Sequence, residues 1–345
     1  MLSKVSRNDV FSRWGYDPSL RFFYYGLYPL SIFYSIFLRI RNFLYSYGVL
    51  KKVKIDVPVI SVGNLVVGGV GKTPFVIALA RYFKRKGLNV GVVSKGYGRI
   101  KRGYRLLIKE EIDDIFRDSV DWGEEAVLVA IKAGVPVMVA DSKSEGALLL
   151  ERYGVDLVII DDGFQHLKLE RDVNILLIDG IREFGNRLLF PAGPLREPIS
   201  SVKRADMVVV TKRKSISFLM DIEGVLNRTP VFFFNPGYVL LRGGKPLERS
   251  IQEVFVVTQV ANPNGVVEIL SSRGIKVSGL RVKRDHTRYD RGDFEGLIGR
   301  DVVITEKDLF NMPPKLIDEV DPIVVSLQED LPEEIGSYLE ELLWR

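Results

Sequence analysis

Eight consecutive residues, Val66-Val67-Gly68-Gly69-Val70-Gly71-Lys72-Thr73, carry the clearest chemistry in this sequence. Glycines let backbone N–H groups converge on phosphate oxygens, a lysine reaches the β- and γ-phosphates, and the next hydroxyl binds Mg²⁺. The usual pattern has a glycine five positions before Gly71, where this chain has Val66. The spacing points to a nucleoside triphosphate with Mg²⁺ and leaves the reaction open. A second candidate is Asp161-Asp162-Gly163-Phe164-Gln165-His166, which follows an apolar run at 156–160. A carboxylate at the end of such a strand commonly binds Mg²⁺ beside a phosphate loop, although an Asp-Asp-Gly by spacing alone is also a turn. His166 and His286 are the only two histidines, hence the only imidazoles available for proton transfer.

These residues need a scaffold, and the hydrophobic pattern supplies one. Short apolar, β-branched runs at 57–63, 90–94, 135–140, 156–160, 173–179 and 206–211 are separated by helical or loop stretches. Near-continuous apolar strands linked by helices indicate a mainly parallel sheet covered on both faces, an α/β fold of the P-loop NTPase type. The phosphate loop lies between the first run and a helix predicted at 73–86. The stretch 182–201 reads as a long Gly/Pro-containing loop, a form often functional in compact domains. A second series follows, with strands at 231–234, 254–260, 276–280, 302–305 and 323–327, a helix near 264–273, and a closing helix at 332–344. The expected organisation is therefore an N-terminal segment 1–54, a P-loop core 55–225 and a smaller α/β lobe 226–345.

The N-terminal segment differs in composition from the rest. Of the net charge of +5, residues 1–54 carry +7, from nine Lys/Arg against Asp9 and Asp17. Within it, residues 22–38 contain eight aromatics and no charge. A helix crossing a bilayer needs about 20 apolar residues, but Tyr28, Ser31, Ser35, Arg39, Asn42 and Ser46 recur at spacings of three and four, forming a polar stripe. Leu30, Phe33, Phe37, Ile40 and Leu44 occupy the opposite face. Such an amphipathic helix suits a membrane interface, with tyrosine at headgroup depth and arginine reaching water; docking on its own domain and a true span are the alternatives. Gly26 and Pro29 are expected to bend or start it. Basic residues beside an apolar surface favour anionic lipid, each contributing roughly 1 kcal/mol, over nucleic acid.

The 345 residues, 46% hydrophobic and 27% charged, describe an ordinary globular chain with one large domain and a smaller one. Absence of cysteine excludes disulfides and thiolate metal sites. No cleavable signal pattern, repeat or low-complexity tract is visible, and nothing calls for an obligate protein partner.

Taken together, the motifs resemble the tetraacyldisaccharide 4′-kinase family of lipid A biosynthesis. The matching strings are Ser61-Val62-Gly63-Asn64-Leu65 leading into Gly68-Gly69-Val70-Gly71-Lys72-Thr73-Pro74, then Ser94-Lys95-Gly96-Tyr97 and Asp161-Asp162-Gly163-Phe164-Gln165-His166. They continue with Pro191-Ala192-Gly193-Pro194-Leu195-Arg196-Glu197-Pro198, Asp285-His286 and Thr305-Glu306-Lys307-Asp308. The resemblance implies ATP- and Mg²⁺-dependent phosphorylation of the 4′-hydroxyl of an acylated disaccharide 1-phosphate. It also implies peripheral attachment to the cytoplasmic face of the inner membrane. It makes Lys72 and Thr73 nucleotide and metal residues, and places Asp161 or Asp162 near the metal. Tyr97, Lys143, His166, Arg196 and Glu197 become substrate- or metal-neighbouring candidates.

The same resemblance pairs the histidine matching His286 with an aspartate in a Gly-Asp-Glu-Pro string. Here the stretch is Gly123-Glu124-Glu125-Ala126, so Glu124 stands for the aspartate and keeps the charge that orients a histidine. Asp121 or Glu125 are the other acids that could fill the role, and two glutamates here also favour a helix N-terminus. Lys95 and Lys143 stand where the family has arginine, retaining charge without the bidentate fork. The competing reading is a membrane-recruited switch or partition-type ATPase. Those proteins share Gly-Gly-Val-Gly-Lys-Thr but have a second lysine where this chain has Val67, and they lack a separate small lobe.

Overall fold

The computed structural model describes residues 15–17, 21–112, 114–212, 223–226, 229–248, 250–260, 263–284 and 287–344. The chain divides into two compact units. The first comprises Met1–Asp113, Val120–Asn235 and Asp330–Arg345; the second comprises Asp114–Ser119 and Pro236–Glu329.

The first unit is built on an eight-stranded sheet: β1 (Val59–Asn64), β2 (Val90–Ser94), β3 (Arg105–Leu107), β4 (Val137–Val139), β5 (Leu157–Asp161), β6 (Val173–Asp179), β7 (Met207–Thr211) and β8 (Val231–Phe234). Their order is β3-β4-β2-β5-β1-β6-β7-β8, parallel throughout except for the antiparallel β3–β4 edge. The α/β expectation thus holds, with the central strands β1, β2 and β5 buried along their full length. Side-chain alternation separates two cores. Ile60, Val62, Leu157 and Ile159 face one cluster, which includes Phe75, Leu79 and Phe83 from helix α2 (Lys72–Arg85). Val59, Val158 and Ile160 face the other, with Ala147 and Leu150.

Helix α1 (Arg21–Ser46) precedes this sheet and runs through Pro29, so Pro29 neither starts nor ends it. The remaining helices are α3 (Ile115–Trp122), α4 (Glu124–Ala133), α5 (Lys143–Tyr153), α6 (Glu223–Leu226), α7 (Pro263–Ser271), α8 (Glu306–Phe310), α9 (Pro314–Val320) and α10 (Glu333–Leu343).

Two segments assigned to the small lobe from sequence belong to the first unit. Strand β8 pairs in parallel with β7, Val208 opposite Val231 and Thr211 opposite Phe234. Helix α10 places Ile335 and Leu339, both fully buried, in the first unit's core. Each such side chain contributes roughly 1.5–3 kcal/mol by burial, whereas the exposed Lys86–Glu340 ion pair beside them adds little. Apolar packing therefore fixes the helix's place. Periodicity shows that a helix has an apolar face but does not show which core receives it.

The second unit carries a six-stranded sheet of β9 (Gly237–Arg242), β10 (Lys245–Pro246), β11 (Glu253–Thr258), β12 (Lys276–Val282), β13 (Val302–Thr305) and β14 (Ile323–Gln328), in the order β10-β9-β14-β13-β11-β12. Strands β11–β14 are mutually parallel where they pair, and β9 runs antiparallel to β14. The hairpin β9–β10, turning at Gly243-Gly244 with both glycines at positive φ, was not among the predicted strands.

Helix α1 shows its apolar face outward, with Leu30, Phe33, Phe37 and Ile40 all exposed and Phe33 at 71%. The stripe toward the protein comprises Tyr24, Ser31 and Leu38, all buried, with Tyr34 and Arg41 half-buried. Part of the predicted polar stripe thus faces protein instead of water, because Ser31 finds backbone partners there. Its Oγ donates to the Leu189 carbonyl at 2.8 Å and accepts from Ala192 N–H at 3.0 Å. No helix among the described residues is long and apolar enough to cross a membrane.

Candidate active site at the phosphate loop

The loop after β1 is shaped from both sides. Val66 forms an antiparallel bridge with Leu195, and Val67 N–H donates to the Pro194 carbonyl at 2.8 Å. The valine in the first-glycine position is therefore held extended with its side chain in the core, where no glycine conformation is needed. Gly68 and Gly69 are exposed; Gly71 N-caps α2 at φ 85°, in the left-handed region that a side chain would strain. The Val70 carbonyl accepts from Thr211 Oγ1 at 2.8 Å. Fourteen residues of α2 follow, starting at Lys72 and Thr73, so their N-terminal N–H groups and dipole face the loop.

Lys72 Nζ lies 3.2 Å from Asn64 Oδ1 and 3.4 Å from Asp162 Oδ1. Arg196 Nη1 reaches both oxygens of Asp162, and Lys143 Nζ donates to the Asp162 backbone carbonyl. Burial alone would raise the Asp162 pKa, but Lys72, Arg196 and Lys143 outweigh it and hold the carboxyl far below the carboxylate range. Asp161, the last residue of β5, is only 7% exposed, and burial pushes its carboxyl up against the opposing pull of Lys72 and Lys143. Its Oδ2 accepts from Ser94 Oγ at 3.4 Å, while Oδ1 is enclosed and has no hydrogen-bond partner among the described residues. Lys143 opens α5 in a buried position that lowers its ammonium pKa.

His166 is half-buried. Desolvation, reinforced by Lys143 and Arg171, lowers its pKa to about 4, so the imidazole is neutral at physiological pH. Its Nε2 is enclosed without a partner among the described residues. Tyr97 stands at 93% exposure on the turn after β2, open to a ligand.

Glu124 is the first residue of α4, and its placement rests on two glycines in contact. A Cβ added to Gly123 would lie 2.7 Å from Gly96 Cα, and one added to Gly96 would lie 2.2 Å from the Trp122 carbonyl. Only this close approach brings the start of α4 against the turn carrying Tyr97. Of the neighbouring acids, Asp121 pairs with Lys101 at 2.7 Å. Glu125 feels the phosphate-loop charges: desolvation, then the Asp161 carboxylate, raise its pKa against the pull of Lys72. His286, expected to pair with Glu124, lies outside the described residues. The backbone next to it is braced within the second unit, where Gln259 Nε2 donates to the Thr287 carbonyl at 2.6 Å and Thr287 N–H donates to Gln259 Oε1 at 3.2 Å. Tyr289 Oη and Thr258 Oγ1 both donate to the buried Asp308 carboxylate, at 2.9 and 2.7 Å.

The structure thus brings Lys72, Asp161, Asp162, Lys143 and Arg196 together and turns the Glu197 side chain away from them. That carboxylate has no exposure, and its oxygens are occupied by Arg41 and Arg204, so it cannot contact a substrate in this arrangement. Sequence reasoning overlooked Asn64, whose side chain links Lys72 to the Val66 carbonyl. It also overlooked Lys212, which donates to the Gly69 carbonyl at 3.1 Å while paired with buried Asp179 at 2.5 Å. Asn64, Asp179 and Thr211 end β1, β6 and β7, and the carboxyl ends of parallel strands are where such folds build sites; that position was the available signal.

A glycine-rich loop opening a helix after the central strand, with a strand-end acid and a lysine beside it, defines a phosphate-loop nucleotide-binding protein of the α/β class. The sequence model of the family described as Tetraacyldisaccharide-1-P 4'-kinase matches residues 23–343, and the chain belongs to that family. It is 35% identical over 286 residues to the tetraacyldisaccharide 4'-kinase of Actinobacillus succinogenes, covering 82% of this chain and 84% of that one. It is 34% identical over 297 residues to that of Shewanella halifaxensis, covering 86% of each. Among solved structures, LpxK from Aquifex aeolicus in complex with ATP superposes with a TM-score of 0.72 at 30% identity, covering 93% of this chain and all of that one. This membership favours a kinase over a membrane-recruited switch ATPase.

Proposed function

We propose that the chain transfers the γ-phosphate of ATP to the 4′-hydroxyl of an acylated disaccharide 1-phosphate, a lipid A precursor. The observation that carries this reading is the convergence of Lys72, Arg196 and Lys143 on Asp162 at the mouth of the phosphate loop. The tetraacyldisaccharide 4'-kinase relatives and the ATP complex of the Aquifex protein support it.

In this reading the N–H groups of residues 68–73 and Lys72 hold the β- and γ-phosphates. Thr73 and Asp161 would hold Mg²⁺; the enclosed, unpartnered Asp161 Oδ1 fits that role. When bound, the metal neutralises charge on the transferring phosphoryl group. Arg196 and Lys143 supply further positive charge, and Asp162 holds both of them and Lys72 in register. His286, the histidine that the family resemblance pairs with the acid that Glu124 replaces, would take the 4′-hydroxyl proton as that oxygen bonds to the γ-phosphorus and the bond to the β-phosphate oxygen breaks. Neutral His166 and exposed Tyr97 face the acceptor sugar.

The acceptor's acyl chains stay in a bilayer, so the enzyme must rest on one. The exposed face of α1 and the basic excess of residues 1–54 support attachment to an anionic surface; the cytoplasmic leaflet of the inner membrane is what the family resemblance implies for it. Incubation with γ-labelled ATP and the acylated disaccharide 1-phosphate in detergent tests the reading. Label in the lipid is expected; label released only as inorganic phosphate would overturn it.

A further inference from the structure

Arg196 and Glu197 are consecutive, yet their side chains serve opposite sides of the same loop. Arg196 points to Asp162, and its backbone N–H donates to the Leu65 carbonyl at 2.6 Å, one residue before the phosphate loop. Glu197 points into an enclosed pocket. There Oε1 accepts from Arg41 Nη2 of α1 at 2.8 Å, and Oε2 accepts from Arg204. The Arg204 guanidinium in turn lies 4.7 Å from the centre of the Phe164 ring, and Arg171 Nη1 donates to the Gly163 and Phe164 carbonyls at 3.2 Å each. A second tie from α1 lands one residue earlier, where Tyr34 Oη donates to the Arg196 carbonyl at 2.9 Å.

A carboxylate with no exposure and both oxygens occupied cannot bind a ligand. Its surroundings fit a different task. Two groups of α1 hold this stretch, the Tyr34 hydroxyl on the Arg196 carbonyl and the Arg41 guanidinium on the Glu197 carboxylate, while Arg204 links that carboxylate to the turn after Asp161-Asp162. We propose that Glu197 and Tyr34 are positioning residues through which the seating of α1 sets the Arg196 clamp on Asp162. The helix whose outer face is apolar then governs the geometry of phosphoryl transfer as well as attachment. Loop displacements well under a side-chain length are enough for this, since an ångström of misplacement at a reacting centre lowers rates by about 100-fold.

The inference rests on the kinase reading, and the test separates the two. Arg41→Met removes the charge facing Glu197, Tyr34→Phe removes only the hydroxyl, and Arg41→Lys restores the charge without the fork. For each variant one measures lipid phosphorylation, ATP affinity by calorimetry, sedimentation with phosphatidylglycerol vesicles, and amide exchange across residues 190–198. The expected result for Arg41→Met is a kcat lower by about tenfold or more, with ATP affinity and vesicle binding retained and faster exchange at 194–198. Arg41→Lys should recover part of the loss, and Tyr34→Phe should show a smaller loss of the same kind. Wild-type kcat and exchange in both Arg41→Met and Tyr34→Phe would overturn the inference. So would a loss of kcat matched by equal losses of ATP affinity and thermal stability, which marks general damage. If the wild-type protein labels no lipid, the kinase reading falls, and the exchange comparison still decides whether α1 sets the loop.

Discussion

One guanidinium nitrogen of Arg196 lies 2.9 Å from each carboxylate oxygen of Asp162. Asp162 adopts φ 52°, in the left-handed region that a non-glycine residue rarely occupies. Strain of this kind persists where the surroundings over-determine it, and here Arg196 holds the side chain while Lys143 holds the carbonyl. The contact fixes a carboxylate beside Lys72 without leaving that lysine a single rigid partner.

Replacing Arg196 by lysine keeps the charge but shortens the reach and replaces the rigid guanidinium, whose Nη1 meets both oxygens, with a freely rotating ammonium. Arg196→Lys is expected to lower kcat by about 10–100-fold, with ATP affinity, which the loop and Lys72 supply, little changed. Steady-state kinetics beside calorimetric titration with ATP checks this. An unchanged kcat would show that Arg196 has only a scaffolding part.

Asp161→Asn leaves the shape of the strand end and removes the charge proposed to face the metal. The Mg²⁺ concentration for half-maximal activity should rise by about 10–100-fold, and Mg²⁺-dependent tightening of ATP binding should weaken with it. A metal titration identical to wild type would place the metal elsewhere.

His166 predicts an acid-sensitive stability. Folded, it stays neutral down to about pH 4, whereas an unfolded histidine takes its proton near 6.5. Between those values the unfolded chain binds more protons, so this contribution is whole above pH 6.5 and is lost as pH falls toward 4. The denaturant midpoint of wild type should decline across that window and that of His166→Asn should decline less. Parallel pH profiles for the two proteins would refute the assignment.

Gln259 is buried and clamps the Thr287 backbone from both sides. Truncation to alanine leaves those backbone groups unpaired, which costs about 1–3 kcal/mol, and should also lower kcat through the adjacent His286. Equilibrium unfolding and kinetics of Gln259→Ala provide the check; a wild-type midpoint together with wild-type turnover would refute it.

The exposed phenylalanines of α1 should act on lipid and not on the fold. Burial of each contributes roughly 1.5–3 kcal/mol, so the double change Phe33→Ser, Phe37→Ser should weaken partitioning onto anionic vesicles by about 100-fold or more. The thermal midpoint should be unaffected. Equal vesicle binding by the double variant and wild type would rule out this face as the attachment surface.

Much of the site could be read before the fold was known, for a physical reason. Phosphate binding needs contiguous residues, so the loop through Lys72 and Thr73 appears as a string, and Asp161-Asp162 follows a strand visible in its own composition. The predicted first-unit strands fell close to their observed bounds because central parallel strands, buried on both faces, leave an unbroken apolar run. Contacts made across the sheet were not legible. The Lys212–Asp179 pair joins two strand ends 33 positions apart, and no periodicity reports that. The pairing of Glu197 with Arg41 and Arg204 was not legible either, because a family string says that an acid is present without saying which way it points. Ser31 was legible as part of a polar stripe but its backbone partners were not, because polarity indicates a face but not what it meets. Strand β8 looked like the start of the second series, since an apolar run does not name the sheet edge it joins.

The place of α10 has a consequence for how the protein is made. Its residues Ile335 and Leu339 complete the core of a unit whose other parts precede Asn235, with Pro236–Glu329 inserted between them in the sequence. A ribosome therefore releases the whole second unit before the first can close. During that interval Phe83 and its neighbours on α2 have no lid, and a nascent chain stalled within the insertion exposes an open apolar flank to chaperones and proteases.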